Sequence, residues 1–267
     1  MNPLAEQAAD LLDDVAEDST PLHGGDLSEI VRVRLASGRA VVAKSGGTAR
    51  AEAAMLRAIA DSGTPAPAVL AVSDMLLVMS DLGRETGLSQ AWHPLGEAVA
   101  RLHAKTGTQY GWHEDHAFGS VGIPNAPLDD WPTFWAERRL LPSVPALSPG
   151  LARELEQLAG RLSERLPRAP RPALLHGDLW TGNVMAAEGA VTGLIDPACY
   201  YGDAEVDLAM LCLFGRPAPE FWDGYGPVEP GLEERRPIYT LWPALVHLRL
   251  FGGGYAGLVE RLIREAQ

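Results

Sequence analysis

A chain of 267 residues, 46% hydrophobic and 21% charged, has enough apolar mass for one large domain or two small lobes around a cleft. Its formal net charge of −13 and lack of any long Lys/Arg cluster exclude a nucleic-acid partner and disfavour an anionic membrane surface, since both need a basic footprint. Two cysteines, Cys199 and Cys212, make neither a disulfide framework nor a four-cysteine zinc site. The acidic start lacks an apolar signal core and no apolar stretch approaches membrane-spanning length, so the expected compartment is a reducing cytoplasm.

In chain order, Pro3 to Ala16 has the pattern of a short amphipathic helix. Val31–Leu35 and Ala40–Ala43, joined by Ala36-Ser37-Gly38-Arg39, predict a β-hairpin. Ala49 to Asp61, rich in Ala, Glu, Leu and Met, predicts a helix stopped by Ser62-Gly63-Thr64-Pro65. Val69–Val72 and Leu76–Met79 add two short strands. After Asp81-Leu82-Gly83 the pattern turns helical: Leu95 to His103, Leu151 to Leu166, Val206 to Phe214, Ile238 to Arg249 and Tyr255 to Glu265. Gly111 to Pro149 reads as loop with a helical insert at Phe134 to Leu140, and Leu174 to Ile195 as short strands and turns. The outline is an α+β chain in two lobes, a small β-rich lobe over residues 1–82 and a larger, mainly helical lobe over residues 83–267.

The strongest chemical signal is Leu175-His176-Gly177-Asp178-Leu179-Trp180-Thr181-Gly182-Asn183. Its Asp and Asn stand five apart, the spacing of the kinase catalytic-loop pattern H-R-D-x-x-x-x-N. In that chemistry Asp178 takes the proton of the attacking hydroxyl and the amide oxygen of Asn183 holds a metal. His176 fits a bracing role better than a chemical one. Thirteen residues beyond Asn183, the apolar run Gly193-Leu194-Ile195 delivers Asp196, where kinases place a Mg²⁺-binding Asp. Pro197 and Ala198 stand in place of the Phe and Gly of D-F-G. Upstream, Ala40-Val41-Val42-Ala43-Lys44 matches V-A-I-K, whose Lys contacts the nucleotide phosphates, and Glu52 on the next helix can pair with it. Gly24 and Gly25, before the first hairpin, allow close backbone approach to phosphates. Asp207 reads as an anchor for the catalytic loop, and His103 as a structural histidine at a helix end.

Several segments resemble the fructosamine-3-kinase/ketosamine-3-kinase family, within the aminoglycoside-phosphotransferase-like kinases of protein-kinase-like fold. They are the loop from Leu175 to Asn183, Asp196-Pro197-Ala198-Cys199-Tyr200-Tyr201-Gly202 with Asp207-Leu208-Ala209-Met210, Asp129-Asp130-Trp131 with Phe134 and Arg138-Arg139-Leu140, and Leu241 to His247 with Phe251 to Tyr255. Asp26 follows the glycine pair where family members often carry Cys, so a thiol switch at that loop is not expected. The resemblance implies ATP and Mg²⁺ as cofactors and phosphorylation of the sugar 3-hydroxyl of a ketosamine, free or on a glycated lysine. The phosphorylated adduct then breaks down and frees the amine. It also implies a hinge for adenine at Met79, Ser80, Asp81 and Leu82, and substrate contacts from Trp180 and His247. No obligate protein partner is evident. A sibling kinase acting on an aminoglycoside, choline or homoserine would keep the same catalytic set. A nucleotide-binding pseudokinase would lack the Lys, the Asp base or a metal ligand, and none is missing here.

Overall fold

The computed structural model describes residues 2–22 and 28–267. Gly24, Gly25 and Asp26 lie outside the described residues. The chain starts with a helix α1 (Pro3–Asp10), capped by the Asn2 side chain on Leu4 N, and then builds a five-stranded antiparallel sheet. Its strands are β1 (Ala16–Pro21), β2 (Ile30–Leu35), β3 (Ala40–Ser45), β4 (Val69–Val72) and β5 (Leu76–Ser80), in the order β1-β2-β3-β5-β4, with helix α2 (Ala49–Asp61) between β3 and β4. The expected helix from Pro3 to Ala16 is shorter than its sequence pattern. It ends at Asp10, Asp13 takes a left-handed turn at φ 53°, and Ala16–Pro21 becomes the edge strand β1. That strand is mostly polar and closes on proline. Such composition suits an exposed edge but hides the alternation by which a strand is recognised.

Alternation along β2 and β3 sorts the two faces of the sheet. Val31, Val33, Leu35, Val41 and Ala43 are buried beneath Leu4, Ala5, Ala8 and Ala9 of α1. The opposite parity sends Arg32, Val42 and Lys44 into the cleft between the lobes. A register slip of one residue would turn Lys44 under α1, so the apolar stripe that buries one face also aims the cation on the other.

The remainder is mainly helical: α3 (Trp92–Ala104), α4 (Trp131–Phe134), α5 (Pro149–Ala159), α6 (Leu162–Arg165), α7 (Glu205–Leu211), α8 (Pro219–Tyr225), α9 (Leu232–Phe251) and α10 (Ala256–Ala266). Short ladders interrupt it: β6 (His116–Phe118) with β7 (Val121–Ile123), β8 (Ala173–Leu175) with β11 (Tyr200–Gly202), and β9 (Val184–Ala187) with β10 (Ala190–Leu194). The helical insert expected at Phe134 to Leu140 is present within a longer stretch that runs α4, a π-helical turn at Trp135–Leu140 and a 3₁₀ turn at Leu141–Ala146, and the loop-rich segment Gly111 to Pro149 also carries the β6–β7 hairpin. The helix expected from Leu151 to Leu166 is two helices, and α9 starts six residues before the expected Ile238. Trp131, Phe134, Trp135, Tyr200 and Tyr239 pack on one another in the core of this lobe, with the buried Arg139 guanidinium 4.0 Å above the Tyr200 ring. Among the described residues no helix is long and apolar enough to cross a membrane.

Candidate active site

The catalytic-loop segment leaves β8 at His176. Gly177 adopts φ +80°, and a Cβ there would lie 2.0 Å from Ala198 O, so a side chain is excluded by both backbone conformation and space. Asp207, fully buried in the first turn of α7, accepts hydrogen bonds from His176 N (2.7 Å) and Gly177 N (2.9 Å). Its Oδ2 also accepts from His103 Nε2 at 3.1 Å, while His103 Nδ1 lies 2.9 Å from Tyr225 Oη. The expected anchoring geometry at Asp207 is therefore present, and the helix-end His103 is part of it. His176 Nε2 lies 3.0 Å from Ile195 O, and Asp178 N donates to His176 Nδ1 at 3.3 Å. A carbonyl only accepts and an amide N–H only donates, so the ring is the neutral Nε2–H tautomer. Burial lowers the His176 pKa in keeping with that form. His176 ties the loop to the strand that delivers Asp196, the bracing role its sequence context suggested.

Asn183 Nδ2 donates to Asp178 O (2.8 Å) and to Asp178 Oδ2 (2.9 Å). Both amide hydrogens are directed at Asp178, and the Asn183 side-chain oxygen meets no donor among the described residues. Burial raises the Asp178 pKa to about 7; the Asn183 hydrogen bond opposes the shift, and the Asp196 and Asp207 carboxylates add to it. Asp196 sits in the left-handed region at φ 53°, a conformation that costs little for Asp but is uncommon away from turns and functional sites. Its Oδ1 is 2.6 Å from Lys44 Nζ, which also meets both Glu52 oxygens at 2.8 and 2.9 Å. Burial alone would lower the Lys44 pKa, but the Glu52 and Asp196 carboxylates outweigh it and the ammonium is held more firmly than usual. The structure thus brings together Lys44, Glu52, Asp178, Asn183 and Asp196, five residues drawn from β3, α2, the catalytic loop and the end of β10.

These groups face a cleft of about 1120 Å³. Met79, Ser80, Asp81 and Leu82 line one end of it, beside Arg32, whose Nε and Nη2 reach the two Asp81 carboxylate oxygens at 2.9 and 3.0 Å. Trp180 and His247 line the cleft too. Trp180 is 37% exposed, lies over Gly182 and meets Phe214 edge-on at 5.8 Å. His247 lies 5.5 Å from Phe214 and 5.1 Å from Tyr255, ring centre to ring centre. His247 Nδ1 is 2.7 Å from Pro243 O, so Nδ1 carries the hydrogen and Nε2 is left as the ring's acceptor in the neutral form. Phe214, Phe251 and Tyr255 complete an aromatic wall that sequence reasoning did not assign to the site. Phe214 looked like the last residue of a helix, and Phe251 and Tyr255 entered only as part of a family-like segment, with no role at the cleft. His116, within the segment read as loop, gave no sequence signal.

Asp196 and Asn183 line the same cleft, and both can offer hard oxygen donors to it. Two protein oxygens fit an ion such as Mg²⁺, which demands six oxygens yet keeps its waters readily and shares phosphate oxygens with a nucleotide.

The family model for fructosamine kinase matches residues 4–267. A Thermus thermophilus protein named "probable ketoamine kinase" is 39% identical over 254 residues, covering 91% of this chain and 92% of that protein. A Synechocystis protein of the same name is 36% identical over 210 residues, covering 72% and 67%. A crystal structure from Thermobifida fusca, with a provisional fructosamine-3-kinase name, superposes with a TM-score of 0.92 at 31% identity, over 100% of this chain and 99% of that one. An aminoglycoside phosphotransferase solved with ADP and hygromycin B shares the fold alone, with a TM-score of 0.64 at 18% identity over 94% and 95% of the two chains.

Proposed function

The chain belongs to the fructosamine kinase family, a family of ATP-dependent phosphotransferases, and from that premise we propose that it phosphorylates a sugar hydroxyl of a ketosamine, with Asp178 as base. The observation that carries the reading is the convergence of Asp178, Asn183 and Asp196 with the Lys44–Glu52 pair on one cleft. The acceptor is a small sugar-amine, free or formed on a lysine side chain. Asp178 accepts the proton of the attacking hydroxyl as its oxygen bonds to the γ-phosphorus and the bond to the ADP leaving oxygen breaks. A carboxylate with a pKa near 7 is a stronger base than an ordinary one and still ionised in half or more of the molecules at neutral pH. Glu52 fixes the flexible Lys44 head so that it can meet the ATP phosphates. Met79 to Leu82 offer backbone groups to adenine. Asn183 and Asp196 would hold Mg²⁺, which when bound would neutralise charge on the phosphoryl oxygens. ATP consumption against a panel of ribulosamines, erythrulosamines, fructosamines and aminoglycosides tests the proposal. Turnover confined to aminoglycosides would overturn it.

Two substitutions probe the two ends of the site. Asp196→Asn keeps the shape but removes the charge of one hard oxygen ligand. Nucleotide affinity should then lose much of its dependence on Mg²⁺, and a nucleotide titration with and without Mg²⁺ reads the effect directly. An unchanged Mg²⁺ dependence would take Asp196 out of the metal site. Trp180 lines the cleft and is partly exposed there, and an indole offers a flat π-face suited to a sugar ring or a protonated amine. Trp180→Ala should raise the KM for the sugar-amine by a few-fold to about thirtyfold, as loss of a cation–π contact predicts, with ATP affinity and melting temperature nearly constant. Equal losses for both substrates, or a much lower melting temperature, would make Trp180 a packing residue.

A further inference from the structure

Arg32 on β2 stands in register with Val42 of β3, and Val42 with Met79 of β5. The three side chains form a row across neighbouring strands, on the face that lines the cleft. Ile30 and Lys44 form the next row, one pleat or about 7 Å along the strands. With Lys44 read as the phosphate contact, the Arg32 row marks the opposite end of the nucleotide, where the chain leaves β5 through Asp81, Leu82 and Gly83. There the guanidinium makes three contacts. Its Nε lies 2.9 Å from Asp81 Oδ2, and its Nη2 donates to Asp81 Oδ1 at 3.0 Å and to Gly83 O at 3.2 Å. Asp81 Oδ1 also accepts from Gly83 N at 3.1 Å, where the chain turns with φ +82° at Gly83.

This stretch of chain needs such a hold. The sheet register ends at Ser80, and the next backbone bond from the segment to a neighbouring element is Thr86 N to Ala186 O, at 2.9 Å in the other lobe. A segment outside the ladder loses backbone freedom when it binds a ligand through its own N–H and C=O groups, and that loss weakens binding. A guanidinium set against two carboxylate oxygens and one carbonyl orders the segment before any ligand arrives. Lysine could not do the same, because its ammonium is a point charge without a planar fork. Side-chain exposure is 39% for Arg32 and 13% for Asp81, so the pair is partly shielded from the solvent screening that leaves most surface ion pairs weak. Nor does the sheet depend on Arg32 for its core, since the face packed under α1 is carried by Val31, Val33 and Leu35.

We propose that Arg32 is a positioning residue for the nucleobase: by holding Asp81 and Gly83 in one arrangement, it presets the backbone of Met79 to Leu82 that receives adenine. The proposal rests on the reading of that segment as the adenine hinge. The test compares two ligands on the full chain, ATP and methyl triphosphate, both with Mg²⁺. Titration calorimetry reads the affinities, by displacement for the weaker ligand. The two share the phosphates and differ in the nucleoside, so the ratio of their affinities isolates the base end of the site. The native protein should favour ATP by about tenfold or more, the factor for one or two hydrogen bonds. Arg32→Ala should shrink that preference by a few-fold to about tenfold, with the affinity for methyl triphosphate unchanged. Arg32→Gln, which loses the charge and the fork, should do the same and decides alone if the alanine variant folds poorly. In an Asp81→Ala background, Arg32→Ala should add less than it costs alone, because its main partner is gone. A native preference that survives in Arg32→Ala, whatever happens to the melting temperature, would overturn the proposal and leave the hinge in place. Equal losses for the two ligands would make Arg32 a phosphate contact, and fully additive losses with Asp81→Ala would break the link to the hinge; either result overturns the proposal. A native protein that binds methyl triphosphate as tightly as ATP would overturn the hinge reading and this inference with it. No acceptor enters the experiment, so its outcome is independent of which sugar-amine is phosphorylated.

Discussion

Asp178→Asn is expected to lower turnover about 10²–10⁴-fold, the usual contribution of a general base, while ATP binding persists. The substitution is nearly isosteric, and the Asp178 backbone oxygen keeps its bond from Asn183 Nδ2. The pH dependence of the native enzyme should carry the same signature. With the Asp178 pKa pushed up to about 7 by burial, the basic form is lost below neutrality, so kcat/KM should fall with unit slope as pH drops through about 7. An unperturbed carboxylate would put that limb near pH 4. Stability runs the other way. A carboxyl whose pKa is higher folded than unfolded favours the folded state most at low pH. That contribution is lost as pH rises from the unfolded value towards about 7. Asp178→Asn removes the buried charge, so above pH 7 its melting temperature should equal or exceed that of the native protein. Near-native turnover in a folded variant, or an acid limb near pH 4, would remove Asp178 from the role of base.

Much of this site was legible in the sequence because phosphoryl transfer constrains residue type and spacing together. The five-residue step from Asp178 to Asn183 is the span of a turn that lets the Asn183 side chain donate to both the backbone oxygen and the carboxylate of Asp178, at 2.8 and 2.9 Å. Helix α2 matches its expected bounds, Ala49 to Asp61, since an Ala/Glu/Leu/Met run ended by Ser-Gly-Thr-Pro has strong local preferences. Where tertiary contacts decide, local pattern fell short. β1 is a polar edge strand that pairs in the sheet with β2 among the described residues, and the β6–β7 hairpin has strands of three residues, too short to show alternation. The aromatic wall of Phe214, Phe251 and Tyr255 meets Trp180 and His247 only once α9 and the segment after it are placed. Single aromatic residues at helical spacing look the same whether they end in a core or on a cleft.

Asp207 is expected to give the largest loss of stability of any single residue at this site. Its Oδ1 accepts from Gly177 N and its Oδ2 from both His176 N and His103 Nε2, in a position with no exposed surface. Hydrogen bonds to a charged acceptor are worth roughly 1.5–3 kcal/mol each, and an abandoned buried donor costs about 1–3 kcal/mol. Asp207→Ala strands two backbone donors and should cost about 3–5 kcal/mol, the range for breaking a buried charged pair. Asp207→Asn should be milder, at about 1–3 kcal/mol, for a specific reason. His103 can change tautomer to accept from the new amide and donate to Tyr225, but a backbone N–H cannot. Whichever way the amide turns, its NH₂ faces either the Gly177 or the His176 N–H, so one of the two bonds is lost. Both variants should also lose turnover, because the freed loop carries Asp178. Urea unfolding with activity measured on the same samples separates holding from chemistry. Asp207→Ala should move the unfolding midpoint strongly and Asp178→Asn should not. An Asp207→Ala protein that unfolds at the native midpoint yet is inactive would place Asp207 in the chemical step rather than beneath it.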